Sequence, residues 1–286
     1  MTHLVALLAW HDLFNFDNYG ELLPLVRNSI MAGAFLGVVG GLVSVLVMTR
    51  DLPFAVHGVS ELSFAGASGA LLFGASVTGG AFVGSVLAAL LIGLLGMRAR
   101  DRNSIIGVIM PFGLGLGILF LSLYHGRGAN KFGLLTGQIV AIDNTSLRTL
   151  VVTSIAILAV LAVVWRPLMF ASIDPVMATA RGVPVRFLGL LFMLVLGCAV
   201  AISVQVVGAL LILALLVTPA AAAMRVSASP VLVPLLTVLF ALTAVLGGIL
   251  VSLGTSIPIS PYVTTISFLI YLVCRVLGGS RTPAQR

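Results

Sequence analysis

The sequence predicts an all-α, polytopic membrane protein with about eight or nine transmembrane helices. Of its 286 residues, 60% are hydrophobic and only 8% are charged, and the mean hydropathy is +1.23. A soluble fold could not bury that much apolar surface, and long apolar runs in place of alternating ones exclude a transmembrane barrel. At about 20 residues per span, the length allows roughly eight to ten crossings.

Polar turns separate nine apolar segments, several of which carry helix-packing signals. Gly33, Gly37 and Gly41 repeat at steps of four in the first segment, which predicts close helix–helix packing. Pro111 and the glycines after it predict a kink or a close approach in the fourth segment, and Pro219 predicts a kink in the seventh. The expected spans are 24–49, 54–77, 80–97 after a turn at 79–80, 104–124, 149–165, 187–205, 206–224, 231–254 and 262–275, with the longest polar connection at 166–186.

The membrane domain is expected to cover residues 21–277. Residues 1–20 contain Trp10 and Tyr19 among acidic residues, which is typical of an interfacial segment, and 278–286 form a basic cytoplasmic tail. The N-terminus lacks the basic region of a cleaved signal peptide. Residues 132–147 are half apolar and too short to span, so a surface-lying or re-entrant helix is expected there.

The basic residues indicate orientation rather than a nucleic-acid partner. The net charge is +7, but the arginines are spread over the connections between spans instead of forming one patch. If the spans alternate, 11 of the 15 Lys and Arg residues share a side with Arg50. Under the positive-inside rule that side is cytoplasmic, which predicts nine crossings with the N-terminus outside. Cys198 and Cys274 each lie in an apolar run, so no disulfide framework is implied.

An imidazole and a carboxylate stand out in the second span. His57 and Glu61 are four residues apart, which places both on one face of a helix. An ionisable residue in an apolar run indicates a functional site, and this pair is a donor set for zinc, manganese or iron. Ser60, Gln138 and Asp143 are the candidates for further ligands. A structural polar pair, or a proton-relay role for Glu61, is compatible with the same residues.

The depth of this pair follows from the charge distribution. The orientation places His57 and Glu61 toward the cytoplasmic end of the second span, which is awkward for a site that is loaded from outside. Two arrangements would reconcile this: a broken or re-entrant start at Pro53 that lifts the pair toward mid-membrane, or a role at the inner exit.

A short cytoplasmic helix is predicted between the fifth and sixth spans. Asp174 is a good N-cap, Pro175 fits the first turn, and Gly182 with Pro184 ends the helix. The segment is either an ordinary interfacial helix or a helix that docks onto a cytoplasmic partner.

The chain carries no ATPase of its own. A phosphate-binding loop ends in Lys-Ser or Lys-Thr, whereas Lys131, the single lysine, is followed by Phe132. We therefore expect no enzymatic activity and no bound cofactor, and any ATP would be hydrolysed by a separate chain.

The sequence resembles the permease subunits of bacterial zinc and manganese ABC importers, the ABC-3 family, from about residue 22 to 276. The resemblance rests on 172–183 (SIDPVMATARGV), 206–221 (VVGALLILALLVTPAA) and 135–143 (LTGQIVAID). It implies a type II ABC-importer-like permease of the prokaryotic plasma membrane that forms a homodimer with two separate ATPase subunits and receives its ion from an extracytoplasmic metal-binding protein. It also implies that 174–183 is the ATPase-coupling helix, with Asp174, Pro175, Ala178, Gly182 and Val183 as its characteristic residues.

Two positions depart from the family pattern. Members typically carry an Asp followed four residues later by a His early in the second span, and here His57 and Glu61 reverse that order. Gln138 stands where many relatives have an Asp. The donor types persist, so the expected cargo is zinc or manganese, with iron behind them, translocated at the homodimer interface.

Three other functions remain open at this level. The same machinery could carry haem, a siderophore or cobalamin, although a His/Glu pair suits a bare ion better than a bulky chelate. A secondary transporter could use Glu61 as its proton site and would need no ATPase. A structural scaffold would leave Glu61 and the capped cytoplasmic helix unexplained.

Overall fold

The computed structural model describes residues 26–96, 99–126, 134, 142–209, 212–254 and 258–278. Every regular element within these ranges is helical, as the sequence predicts. The segment 1–20, the tail beyond Gly278 and most of 132–147, including Gln138, lie outside the described residues. The helices are α1 (Arg27–Thr49), α2 (Pro53–Leu72), α3 (Val77–Leu95), α4 (Ala99–Leu123), α5 (Asn144–Ile173), α6 (Pro175–Ala180), α7 (Val185–Val207), α8 (Ile212–Leu216), α9 (Thr218–Val226), α10 (Leu232–Leu253) and α11 (Ile259–Gly278).

The described residues contain the long apolar helices expected of a polytopic membrane protein. In the described residues, 7 helices are long and apolar enough to cross a bilayer: α1, α3, α4, α5, α7, α10 and α11. With 20 residues, α2 is also long enough, about 30 Å, and it is less apolar because it carries His57, Glu61 and three serines. The interrupted pair α8–α9 (Ile212–Val226) is a shorter apolar segment.

The glycines of α1 pack against α10, as their spacing predicts. Gly33 lies against Ile249, Gly37 against Leu242, and Gly41 against the backbone of Val238. The partner numbers fall as the glycine numbers rise, so α1 and α10 are antiparallel. Glycine at these positions lets the two helices approach closely without a side chain between them.

Helix α2 is held between α3 and α4 by backbone-to-backbone contact. A Cβ on Gly84 of α3 would overlap the carbonyl oxygen of Leu62, and a Cβ on Gly66 would overlap that of Gly80. On the other side, Gly113 of α4 lies against Leu62, which confirms the close approach expected after Pro111.

Both ends of the bundle can be identified from polar contacts. Asn28 donates its side-chain N–H to Asn144 Oδ1 at 2.9 Å, so α1 and α5 begin at the same end. Arg50 Nε donates to Ser172 Oγ at 2.7 Å, so they also end together. Because successive helices alternate in direction, the end that holds Arg50 also holds the arginines Arg181, Arg186, Arg225 and Arg275. This is the clustering that the charge count predicts, and the Arg50 end is the one expected to face the cytoplasm.

The prediction that a polar connection covers 166–186 is wrong at its start. Helix α5 runs for 30 residues to Ile173, with Arg166 and Pro167 inside it, so the polar connection begins only at Asp174. At about 45 Å the helix exceeds the hydrocarbon thickness of about 30 Å. Arg166 and Pro167 can therefore be helical, because this last part projects toward the interface, where an arginine head reaches water.

Two other helix boundaries differ from the expected ones. The turn expected at Gly79 and Gly80 lies earlier, and Ser76 caps α3 by accepting from the N–H of Gly79. The span expected at 206–224 is interrupted instead of kinked. Helix α7 ends at Val207 and is followed by Gly208, where φ is +89°; Pro219 lies in the first turn of a new helix, α9.

Candidate functional site

The site is built on the first three turns of α2. Its entry is a tight turn in which Asp51 adopts φ +53°, and Pro53 occupies the start of the helix, where a missing N–H costs nothing. The regular helix from Pro53 onward rules out the broken start considered from the sequence. His57 and Glu61 therefore lie about 6 and 12 Å along the axis from the Arg50 end.

His57 and Glu61 face each other one helical turn apart. Nε2 of His57 lies 3.6 Å from Oε1 of Glu61, and their side chains are 28% and 3% exposed. Nδ1 of His57 and Oε2 of Glu61 are buried, and neither has a hydrogen-bond partner in the described part of the chain. A purely structural pair would be expected to satisfy these atoms, because an unpartnered buried polar atom is costly.

The spacing of the pair suits a shared ion. Two ligands with bonds of about 2.1 Å at a tetrahedral angle lie about 3.4 Å apart, close to the observed Nε2–Oε1 distance of 3.6 Å. Within the ranges that the structure describes, no third His, Cys, Asp or Glu joins them. The pair can therefore offer two donors, and water, backbone or another chain would complete the coordination.

The other sequence candidates lie elsewhere. Ser60 is buried and donates its hydroxyl to the carbonyl of His57 at 2.8 Å, so it braces the same turn. Asp143 is exposed at the opposite end of the bundle, where it caps α5 by accepting from the N–H groups of Thr145 and Ser146. The hydrogen bond with the Ser146 side chain, together with these backbone bonds, lowers the pKa of Asp143.

Arg50 joins three helices beside the entry to α2. Its Nε donates to Ser172 Oγ in the last turn of α5, and its guanidinium lies 5.2 Å from the ring centroid of Phe192 in α7. Ser172 in turn donates to the carbonyl of Leu168 at 2.6 Å. Sequence analysis missed this role and took Arg50 only as a topology signal, because nothing local to it identifies its distant partners.

The short helix α6 has the predicted ends. Asp174 Oδ1 accepts from the N–H of Met177 at 2.8 Å, and Pro175 occupies the first turn. At the other end Gly182 has φ +79°, and the N–H of Val183 bonds to the carbonyl of Ala178 at 3.0 Å. This is a Schellman stop, in which glycine provides the left-handed residue.

The two faces of α6 differ in exposure. Ala178 is fully buried against the bundle, whereas Val176 and Met177 are 79% and 48% exposed. The guanidinium of Arg181 lies 5.9 Å from the ring centroid of Phe170 and so ties the end of α6 back to α5. A rigidly capped helix thus presents two apolar side chains at the Arg50 end.

These features define a multi-pass membrane protein: a bundle of apolar helices with a polar pair buried in a central helix. The chain belongs to the ABC 3 transport family, whose sequence model matches residues 23–278. It is 29% identical over 199 residues to the manganese transport system membrane protein MntC of Halalkalibacterium halodurans, covering 69% of this chain and 68% of the relative. It is 26% identical over 249 residues to the manganese import system permease protein ScaB of Streptococcus gordonii, covering 87% of this chain and 89% of the relative.

Two solved structures share the fold. PsaBC from Streptococcus pneumoniae in complex with Fab superposes with a TM-score of 0.80 at 24% identity, covering 90% of this chain and 95% of that one. An inward-facing conformation of a putative metal-chelate type ABC transporter superposes with a TM-score of 0.67 at 22% identity, covering 88% and 85%. The family resemblance and the permease fold expected from the sequence are thereby confirmed.

Proposed function

We propose that this chain is the membrane-spanning permease subunit of an ATP-driven importer for divalent transition-metal ions, zinc or manganese, with iron as a third candidate. The observation that carries the proposal is the His57–Glu61 pair, buried in α2 with one atom of each side chain unpartnered. Imidazole and carboxylate together suit these metals. The relatives named for manganese transport support the same substrate class.

A site with only two protein donors is suited to transport. Two protein donors bind an ion less tightly than a closed structural site with four, and a transported ion must be released. A second copy of the chain would supply the remaining donors if the ion crosses at a homodimer interface. An extracytoplasmic metal-binding protein would deliver the ion to the end opposite Arg50.

The energy would come from a separate ATPase that docks on α6. Its exposed Val176 and Met177 offer an apolar contact surface, and the Asp174 cap and Gly182 stop keep the helix rigid. A shift of α6 would move the end of α5, where Ser172 holds Arg50. Only the Arg50–Leu52 turn separates Arg50 from the start of α2, so this route leads from the docking surface to the helix that carries the pair.

The test is metal-dependent ATP hydrolysis by the permease reconstituted with its ATPase and its binding protein. Separate titrations of zinc, manganese and iron should show stimulation by at least one ion at low concentration. A haem, siderophore or cobalamin permease would respond to the chelate and not to the ion. Uptake of the ion by the permease alone, driven by a proton gradient, would instead identify a secondary transporter that uses Glu61.

Asp174→Ala should uncouple the permease from its ATPase. Losing an N-cap costs a helix about 1 kcal/mol, which is large for α6 with its 6 residues. We expect reduced co-purification of the ATPase and reduced uptake, with metal binding unchanged. Ser76→Ala, which removes the cap of α3 at the opposite end, is the control. Equal losses in both variants would argue against a docking role for α6.

A further inference from the structure

The unpartnered polar atoms of α2 fall on one face. A helix turns by about 100° per residue, so His57, Glu61 and Ser68 lie within about 40° of one another around the axis. Ser68 is completely buried. Its hydroxyl, like Nδ1 of His57 and Oε2 of Glu61, has no hydrogen-bond partner among the described residues.

The other two serines of α2 lie on other faces of the helix, and their hydroxyls are hydrogen-bonded. Ser60 donates to the carbonyl of His57 within its own helix, and Ser63 donates to the carbonyl of Ala81 in α3 at 3.1 Å. The missing partners are therefore not a general property of the serines in this helix. They coincide with the face that carries the His57–Glu61 pair.

Ser68 extends this face toward the other end of the bundle. It lies about 22 Å along the axis from Pro53 and about 10 Å beyond Glu61, so it cannot bind the same ion as Glu61. The pair alone lies near the Arg50 end, far from where an imported ion would enter. A cation entering from the opposite end and following this face would reach Ser68 first.

An aromatic ring separates the two positions. Phe64 lies between Glu61 and Ser68 on the same face and is fully buried. A Cβ on Gly117 of α4 would lie 2.5 Å from atoms of the Phe64 ring, so the ring is seated directly on that glycine. A bulky apolar side chain at this position would be a barrier to water and to ions between Glu61 and Ser68.

We propose that the Ser68 hydroxyl is a second binding position for the transported divalent cation, on the entry side of Phe64. This inference rests on the proposed function. A hydroxyl oxygen is a neutral, hard and weak donor, suited to holding an ion only briefly. Successive weak positions allow an ion to enter and to leave, and the anionic Glu61 then draws it past the ring.

Two substitutions at Ser68 test this position in proteoliposomes that contain the permease with its ATPase. Ser68→Ala should slow Mn²⁺ uptake about tenfold, because the hydroxyl donor is lost in a dry site, while equilibrium binding of Mn²⁺ at the His57–Glu61 pair is unchanged. Ser68→Cys should raise the ratio of Zn²⁺ to Mn²⁺ uptake about tenfold, because a thiolate favours the softer ion.

Ser63→Ala is the matched control, since it removes a buried hydroxyl from the same helix on the face toward α3, and its uptake should stay near the wild-type rate. Wild-type uptake by Ser68→Ala, together with an unchanged metal ratio in Ser68→Cys, would overturn the assignment. Equal losses in Ser63→Ala and Ser68→Ala would also overturn it, by indicating a packing role. Failure of the proposed function would look different, because the wild-type complex itself would then move neither ion.

Discussion

Glu61→Gln should abolish metal uptake while leaving the protein fully folded. Glu61 is the one acidic side chain that is buried in the described part of the chain, and glutamine keeps its shape but loses its charge. Removing a direct ligand should cost more than the roughly 10–100-fold caused by losing a supporting partner. The measurement is ATP-dependent uptake of Mn²⁺ and Zn²⁺ in proteoliposomes.

Thermal stability distinguishes a role of Glu61 as a metal ligand from a purely structural role. If Glu61 and His57 formed a buried ion pair that holds the helices together, breaking it would be strongly destabilising. Because Oε2 of Glu61 has no partner within the described residues, we expect Glu61→Gln to melt at or above the wild-type temperature. Asp51→Asn is the control: it removes an acid from an exposed turn where φ is +53°, a conformation that asparagine tolerates. Normal uptake by Glu61→Gln, or a large fall in its melting temperature, would contradict the assignment.

Gly84→Ala should have the largest effect on stability. The new Cβ would overlap the carbonyl oxygen of Leu62, and a backbone atom cannot turn aside as a flexible side chain can. Overpacking typically costs about 1–3 kcal/mol, and here α2 and α3 must separate to relieve it. We expect a melting temperature several degrees lower in detergent, by roughly the 2–4 °C per kcal/mol of a protein this size.

Gly115→Ala provides the comparison for that prediction. It is also a glycine in a membrane helix, but nothing lies within 4 Å of the Cβ position, so the substitution should be neutral or slightly stabilising through helix propensity. Because Leu62 follows Glu61 directly, Gly84→Ala should also impair uptake. Equal stability of the two variants would mean that the glycine contact between α2 and α3 is not tight.

Local signals were enough to predict the short helix α6 and the glycine contacts. Asp174, Pro175 and Gly182 each act on the residues beside them, so sequence reasoning places α6 with the correct cap and stop. The glycine steps of α1 likewise follow from helix periodicity. By the same logic, the i, i+4 spacing of His57 and Glu61 predicts that the two side chains face each other, which the 3.6 Å distance confirms.

Features that depend on distant contacts could not be read from the chain. The partner of Arg50 is Ser172, 122 residues away, and no local pattern joins them. Arg166 and Pro167 resemble the end of a span, and only the full length of α5 shows that they lie inside it. In the sequence, Ser68 and Ser63 are both serines in the same apolar helix, and nothing local distinguishes them. The structure does: the hydroxyl of Ser63 donates to the carbonyl of Ala81, whereas that of Ser68 has no hydrogen-bond partner among the described residues.

The most direct test of the central claim, that the buried pair of α2 binds the transported ion, is an anomalous difference map. Crystals of the complex soaked in Mn²⁺ or Zn²⁺ would be measured at the absorption edge of each metal. We expect a peak about 2.1 Å from a carboxylate oxygen of Glu61 and from a ring nitrogen of His57, absent in Glu61→Gln. A peak elsewhere in the bundle with none at the pair, or a peak that persists in Glu61→Gln, would contradict it.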